Sequence, residues 1–404
     1  MNARRDGPLR VAVCAPVSLA PGETTNRTAA FRKVRLVLAA LTDLGCETTL
    51  IESLHVGGEG SFRPTCASRA ELGEGREVGI LRPFALPIPR LTKAAQALAA
   101  PRIARRVARD FAPDLLWIYN AYLFESRLAL TLERMGVPFV LELEDLPTAR
   151  RSFPFNVKAA LDARSFDEVV RRAAAAACVN SDLCARVRPI NPQAFLFPPV
   201  VDPALERRAA GRLPPFSHCP IRVGYCGGLE EDKGVGTLAA LIDLLPPGME
   251  LHVAGIGSLE PMLSAALARH PERGRFHGYL PDAQLVDFLC SMDVLINPHR
   301  DVAAAGHGVF PFKLFEYVAA GAVVVTTRSP MIEGVPLDRL IHFDGSPEGL
   351  AAALAEAARR GAADDDLRRN VLRRFSLSAT TTLIDRILDA AVGNRRRRGQ
   401  ESTA

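Results

Sequence analysis

Apolar and polar positions alternate between two periods along the chain. LRVAVCAP, at 9–16, is an unbroken apolar run closed by Pro16, and it predicts a buried strand. TAAFRKVRLVLAALTDLG then carries apolar residues at helical spacing and stops at Gly45, and CETTLIES predicts a second strand. Strand, helix, strand in that order is the building unit of a parallel sheet. The alternation continues with a helix around 92–110, the strand DLLWIY, the helix SRLALTLERMG, the strand PFVLELED, a helix over roughly 157–175, and the strands AACVNS and AFLFPPVVDP.

A Pro-rich stretch follows, PPVVDPALERRAAGRLPPFSHCP, and predicts an interdomain connection with a boundary near Asp202 to Pro220. The pattern then restarts. IRVGYCGG, ELHVAGIG, GRFHGYL and DVLINPH predict strands, separated by helices at 235–245, 259–269 and 282–291. GVFPFKLFEYVAAGAVVVTT, at 308–327, predicts a helix and then a strand, with Pro311 in the first helical turn, Glu316 in the second and Gly321 just past the end. Two helices, about 347–361 and 376–392, come after LIHF, and GNRRRRGQESTA predicts a disordered basic tail over 393–404. The fold class is therefore α/β, with two successive doubly wound halves. The predicted domains are 1–200 and 201–375, and the last helix is expected to cross back to the first domain. Ligands of such sheets bind at the carboxyl ends of the strands, so the expected site is a cleft between the halves.

A length of 404 residues agrees with two cores, and with aromatics at 6% those cores must rest on Ala, Leu and Val. The net charge of +5 is uneven, with Arg clustered at Arg102, Arg105, Arg106 and Arg109 and again at Arg395 to Arg398. A basic face can meet phosphate or an anionic membrane, or can simply be solvated. Without a nucleic-acid-binding signature, nucleic acid is not an expected partner. The 8 cysteines are scattered singly with no C-x-x-C pair, which points to buried small hydrophobes in a reducing compartment. MNARRDGPLRVAVCAP has no signal-peptide core, and no apolar run reaches the roughly 18 residues a membrane span needs. A cytoplasmic location is expected, with peripheral contact at the inner membrane face as one option and an ordinary solvated helix over 90–109 as the other.

Chemistry concentrates in the second half. In IRVGYCGGLEEDKG a strand leads into Gly227 and Gly228, an acidic turn, and Lys233 at a helix start. Such a turn lets backbone amides and an ammonium approach a diphosphate; it is equally a tight turn with a surface lysine. Gly255 and Gly257 in VAGIGS form another nucleotide-compatible turn, which lacks the third glycine of a dinucleotide fingerprint. Glu316 can accept two hydrogen bonds from a vicinal diol such as a ribose, or can pair with Lys313 as ordinary helix support.

The order GGLEEDKG, VAGIGS, FHGYLP, DVLINP, FPFKLFEYVAAGAVVV resembles the C-terminal half of family-4-type retaining glycosyltransferases of the GT-B fold, group 1 glycosyl transferases. The likeness covers roughly 220–390 and extends more weakly through PDLLWIY, VPFVLELEDLP, ACVNSDLC and FPPVVDP. It implies two Rossmann-like domains facing a central cleft. It also implies that Glu316 binds the nucleotide ribose, that Lys233 binds the donor diphosphate, and that Gly227, Gly228, Gly255 and Gly257 lie near the nucleotide. The loop His307, Gly308, Val309 and Phe310 would cradle phosphate and hexose, with Lys313 beside it. In the first half the resemblance directs attention to VLELEDLP, where Glu142, Glu144 and Asp145 end an apolar strand and are hard to place in a core. One of them, Glu144 or Asp145 in particular, would stabilise a cationic glycosyl transition state or position the acceptor, unless the acids begin a solvated loop with Asp145 as a helix cap. Thr25, Asn26 and Arg27, in the first turn after a strand, would bind the acceptor. No metal and no cofactor beyond the nucleotide-sugar co-substrate is implied.

Two positions depart from the family pattern. Gly228 stands where an Arg is usual, and Gly308 where a first acid is usual. The expected activity is transfer of a hexose from a nucleoside-diphosphate sugar to a glycan, lipid-linked or small-molecule acceptor, with retention. The alternatives are a degenerate nucleotide-binding protein and a sugar-nucleotide epimerase.

Overall fold

The computed structural model of the chain describes residues 7–19, 29–53, 62–73, 75–146, 166–299, 312–328 and 332–401. They form two compact units: Met1–Pro198 with Ser378–Ala404, and Pro199–Leu377.

The first unit is built on β1 (Arg10–Ala15), β2 (Glu47–Glu52), β3 (Cys66–Gly73), β4 (Arg76–Arg82), β5 (Leu115–Tyr119), β6 (Phe139–Leu143), β7 (Ala175–Cys178) and β8 (Ala194–Leu196), in the order β3-β4-β2-β1-β5-β6-β7-β8. Every neighbouring pair is parallel except β3 with β4. β5, β6 and β7 are buried at every residue, as strands covered on both faces must be. The β3–β4 hairpin is absent from the sequence reading. β3, CASRAELG, is exposed at most positions and has no apolar alternation to betray it.

The second unit holds β9 (Ile221–Cys226), β10 (Met249–Ala254), β11 (Gly274–Gly278), β12 (Val294–Asn297), β13 (Val323–Thr326) and β14 (Ile341–His342), all parallel, in the order β11-β10-β9-β12-β13-β14. This is the doubly wound order that reverses at the first strand, and the reversal lies between β9 and β12. Leu238, Leu241, Leu251, Val253, Leu263, Ile296 and Val325 belong to its core.

Helices fall close to prediction at Val235–Leu244, Glu260–Arg269, Asp282–Ser291 and Pro347–Arg360. The helix predicted over 157–175 is helical at 166–172, and β7 starts at Ala175; residues 147–165 lie outside the described ones. The Pro-rich stretch is not a bare connection. It carries the helix Pro203–Ala210, capped by Asp202, whose side chain accepts from the Ala204 N–H at 2.8 Å. Asp365–Phe375 is a further helix that the sequence reading passed over, because its apolar positions are sparse among charges. Asp364 caps it, and Leu367, Val371 and Phe375 form its single buried stripe. The final helix, Leu377–Glu401, runs past the end predicted at 392, since Arg and Gln sustain a helix well. Val201 and Ser376 form a β-bridge, so the two ends of the second unit lie side by side.

Candidate functional site

In the second unit the site elements meet at the carboxyl ends of β9, β10 and β12. The turn after β9 contains Gly227, Gly228 and Leu229, and the turn after β10 contains Gly255 and Gly257. The two turns pack backbone to backbone, with the Leu229 N–H donating to the Ile256 carbonyl at 2.9 Å. Gly255 has φ of +144°, and a Cβ there would stand 1.9 Å from the Gly227 carbonyl oxygen. At Gly257 a Cβ would stand 2.4 Å from the Leu229 oxygen. The adjacent turn therefore accounts for both glycines before any ligand is invoked.

Lys233 ends a short 3-10 turn, Glu231–Lys233, and Gly234 follows in the left-handed conformation as the N-cap of Val235–Leu244. A Cβ on Gly234 would lie 1.8 Å from the Pro298 oxygen, so this turn is seated directly on the chain leaving β12. The contact brings the Lys233 ammonium 3.0 Å from His299 Nε2 and 3.1 Å from Asp232 Oδ2. His299 was missed in the sequence, although it follows β12 in INPHR, at the strand end where ligands of this architecture bind.

The helix of the 308–327 stretch spans Lys313–Ala320, and Gly321 closes it in the left-handed conformation. It starts later than predicted, which puts Glu316 in its first turn. Pro311 and the predicted loop His307, Gly308, Val309 and Phe310 lie outside the described residues, as do Thr25, Asn26 and Arg27. Tyr317, fully buried, fastens the helix to β9: its hydroxyl accepts from the Cys226 N–H at 3.1 Å and donates to the Cys226 carbonyl at 3.0 Å. Glu316 is half-buried between the buried Phe315 and Tyr317. The Lys313 ammonium donates to the Tyr225 hydroxyl at 3.1 Å and lies 4.3 Å from that ring's centroid. It stands 2.7 Å from where a Gly227 Cβ would be. Burial holds the Tyr225 and Tyr317 phenols well above their ordinary pKa, so both stay neutral. Two ammonium groups thus stand at the carboxyl ends of the neighbouring strands β9 and β12. A cavity lined by Val323, Ile341, Arg339, Arg360 and Asp364 opens near the amino ends of β13 and β14, away from these groups.

In the first unit, VLELED does not begin a solvated loop. Glu142 and Glu144 are 1% and 7% exposed, and they share Lys33, itself 2% exposed, from the helix Ala29–Asp43. Lys33 Nζ lies 3.0 Å from Glu142 Oε1, hydrogen-bonds Glu144 Oε1 and donates to the Phe197 carbonyl at 3.2 Å. Trp117 Nε1 donates to Glu142 Oε2 at 2.6 Å. Asn120, with φ of +62°, accepts the backbone N–H groups of Glu144 at 2.8 Å and Asp145 at 3.4 Å. Its amide donates to the Tyr122 hydroxyl at 3.0 Å, and that hydroxyl donates to Asp145 Oδ1 at 3.5 Å. Burial, opposed by Lys33 and reinforced by Glu142, pushes the Glu144 carboxyl up to about 8. Asp145 is the half-buried acid of the three. Lys33 lies far upstream in an amphipathic helix, where nothing in the local pattern marks it.

The helix Pro89–Asp110 presents Leu91, Leu98, Arg102, Arg105 and Arg109, all exposed, on one face, with Ile88 exposed just ahead of it. Asp110 pairs with Arg106 at 3.2 Å and Arg109 at 2.7 Å. Among the described residues no helix is long and apolar enough to cross a membrane.

Residues 220–360 match the family described as Glycosyl transferases group 1. No curated protein matches the chain. Among solved structures the chain is similar to sucrose-phosphate synthase from Thermosynechococcus elongatus, with a TM-score of 0.69 and 14% identity over 94% of this chain and 98% of that one. It is also similar to α,α-trehalose 6-phosphate synthase from Burkholderia multivorans, with a TM-score of 0.65 and 15% identity over 97% and 98%. HepE from Anabaena, solved with UDP, has a TM-score of 0.61 and 14% identity over 95% and 100%. At such identities these likenesses establish the fold, and the family match covers the segment that carries Lys233, Lys313 and Glu316. Residues 220–360 carry the match to Glycosyl transferases group 1, and the chain that holds them has the GT-B fold.

Proposed function

We propose that the protein transfers a hexose from a nucleoside-diphosphate sugar to a glycan, lipid-linked or small-molecule acceptor, with retention of configuration. The observation that carries this reading is the pair of ammonium groups, Lys233 and Lys313, at the carboxyl ends of β9 and β12. A diphosphate leaving group develops negative charge as the glycosidic bond breaks, and fixed cations aimed at it lower the barrier. Lys313 lies against Gly227, beside the position where Gly228 replaces the usual Arg, and it supplies the cation that Arg would have brought. Glu316 binds the ribose hydroxyls. Of the first-unit acids, Asp145 is the better source of negative charge beside a cationic glycosyl centre, because it is half-buried and within a ligand's reach, whereas Glu142 and Glu144 are enclosed with Lys33. Glu144 works as a hydrogen-bonding group.

The degenerate reading draws support from Gly308, where the first acid of the family motif is missing. Incubation with UDP-, GDP- and dTDP-sugars separates the two. Transfer or donor hydrolysis is expected; tight binding without product over long incubation would establish the degenerate protein. Glu316→Ala is expected to weaken nucleotide binding roughly tenfold to a hundredfold, the loss of hydrogen bonds to a charged acceptor. Unchanged affinity would remove Glu316 from the site.

The exposed face of Pro89–Asp110 is assigned to an anionic membrane surface. Its leucines supply apolar contact and its arginines charge attraction, the combination that holds a helix in a membrane interface. Peripheral attachment of this kind suits a lipid-linked acceptor.

A further inference from the structure

We infer that Lys33 is a positioning residue for Glu144: its ammonium, held between Glu142 and Glu144, fixes the place and the charge of the Glu144 carboxyl group at the carboxyl end of β6. This inference rests on the reading of Glu144 as a functional group of the first unit.

Two carboxylates and one ammonium are enclosed together, so charge does not balance if all three are ionised. Glu142 has its second oxygen tied to Trp117 Nε1 at 2.6 Å, an anchor that suits a full negative charge. Lys33 stays protonated: burial works against its ammonium, but the two carboxylates outweigh it and raise its pKa. The remaining freedom lies with Glu144. One of its oxygens bonds Lys33, and the other, Oε2, is buried with no hydrogen-bond partner among the described residues. A buried polar atom left in that state costs stability, about 1–3 kcal/mol in general, which makes it a position that a ligand hydroxyl or a proton can satisfy. Among the described residues, the ionisable groups that act on Glu144 include Lys33, Glu142, Tyr119 and Cys178, with Tyr122 and Asp145 next to Tyr119. Lys33 is the cation of this group, and it opposes the burial and the acids.

The backbone adds the second restraint. Asn120 Oδ1 takes the N–H groups of both Glu144 and Asp145, so the chain at 144–145 cannot turn without breaking a buried network. Lys33 fixes the side chain and Asn120 fixes the main chain that bears it.

The test follows the protonated-carboxyl band of Glu144 against pH, read as the infrared difference between each protein and the same protein with Glu144→Gln. Lys33→Met removes the cation and is expected to move the midpoint up by about one pH unit or more; Glu142→Gln removes the like charge and is expected to move it down. Glu142→Gln keeps an acceptor for Trp117, so it serves as the second arm if Lys33→Met fails to fold. The limb of the turnover profile that Glu144 sets, measured with the nucleotide sugar the panel selects, should move with the band. An unmoved midpoint in the folded variants overturns the role of Lys33. A moving midpoint together with wild-type turnover in Glu144→Gln overturns instead the functional reading of Glu144.

Discussion

The ammonium of Lys313 lies 4.3 Å from the ring centroid of Tyr225 and hydrogen-bonds its hydroxyl at 3.1 Å. The contact ties the first residue of the Glu316 helix to the strand that carries the Gly227–Gly228 turn. Lys313→Met should weaken binding of a nucleoside diphosphate by about tenfold or more and leave binding of the free nucleoside nearly unchanged, because only the former carries the charge that Lys313 meets. Calorimetric titration with both ligands checks this; an equal loss for both would mean that Lys313 merely supports the helix.

Gly234 fixes where Lys233 stands. Gly234→Ala would place a methyl group 1.8 Å from the Pro298 oxygen at a φ of +70°. The turn must then move, at a cost of about 2–4 kcal/mol. A lowered melting temperature and a loss of diphosphate affinity are expected together. A stability loss with affinity intact would separate the turn from the site.

His252 and His277 stack on β10 and β11, with Nδ1 and Nε2 3.0 Å apart. Burial first, and His277 second, hold His252 down to about 4. The folded protein therefore binds fewer protons than the unfolded chain between pH 6.5 and 4, and stability falls as pH drops through that window. The contribution is on the order of 1 kcal/mol once solvent screening is allowed for. Melting temperatures across that range should fall less steeply in His252→Asn than in the wild type, and parallel slopes would count against the pair.

The exposed face of Pro89–Asp110 predicts co-sedimentation with phosphatidylglycerol vesicles and none with phosphatidylcholine vesicles. Leu98→Glu combined with Arg105→Glu should abolish it, and raised salt should weaken it, since surface attraction fades within about 10 Å at 0.1 M. Binding that survives both changes would place the contact elsewhere.

What the sequence revealed follows from what local pattern can encode. The parallel sheets were legible because strands such as LLWIY and VLIN are uninterrupted apolar runs between helical periods. Lys233, Lys313 and Glu316 stand out as candidates in the sequence because ordered blocks with family spacing surround them. The β3–β4 hairpin escaped because an exposed edge strand has no core face to write into its sequence. Asp365–Phe375 escaped because three apolar residues among charges make a faint stripe. Lys33 escaped for a different reason. The 111 residues separating it from Glu144 carry no record that the two side chains meet, and only the folded sheet brings them together. Acids at the end of an apolar strand sit badly in a core, and the compensation of Glu142 and Glu144 by a distant lysine explains how this core tolerates them.

The final helix belongs to the first unit from Ser378 onward, although the second unit occupies all the intervening chain. Ile384, Ile387, Leu388 and Ala391 on that helix are buried, so the first unit is incomplete until they are in place. On a ribosome adding about 5–20 residues per second, the amino-terminal sheet waits for roughly ten seconds or longer while the second unit is made. Pro199–Leu377, by contrast, is contiguous and can close as soon as it emerges. The half of the molecule that starts first is the half that finishes last.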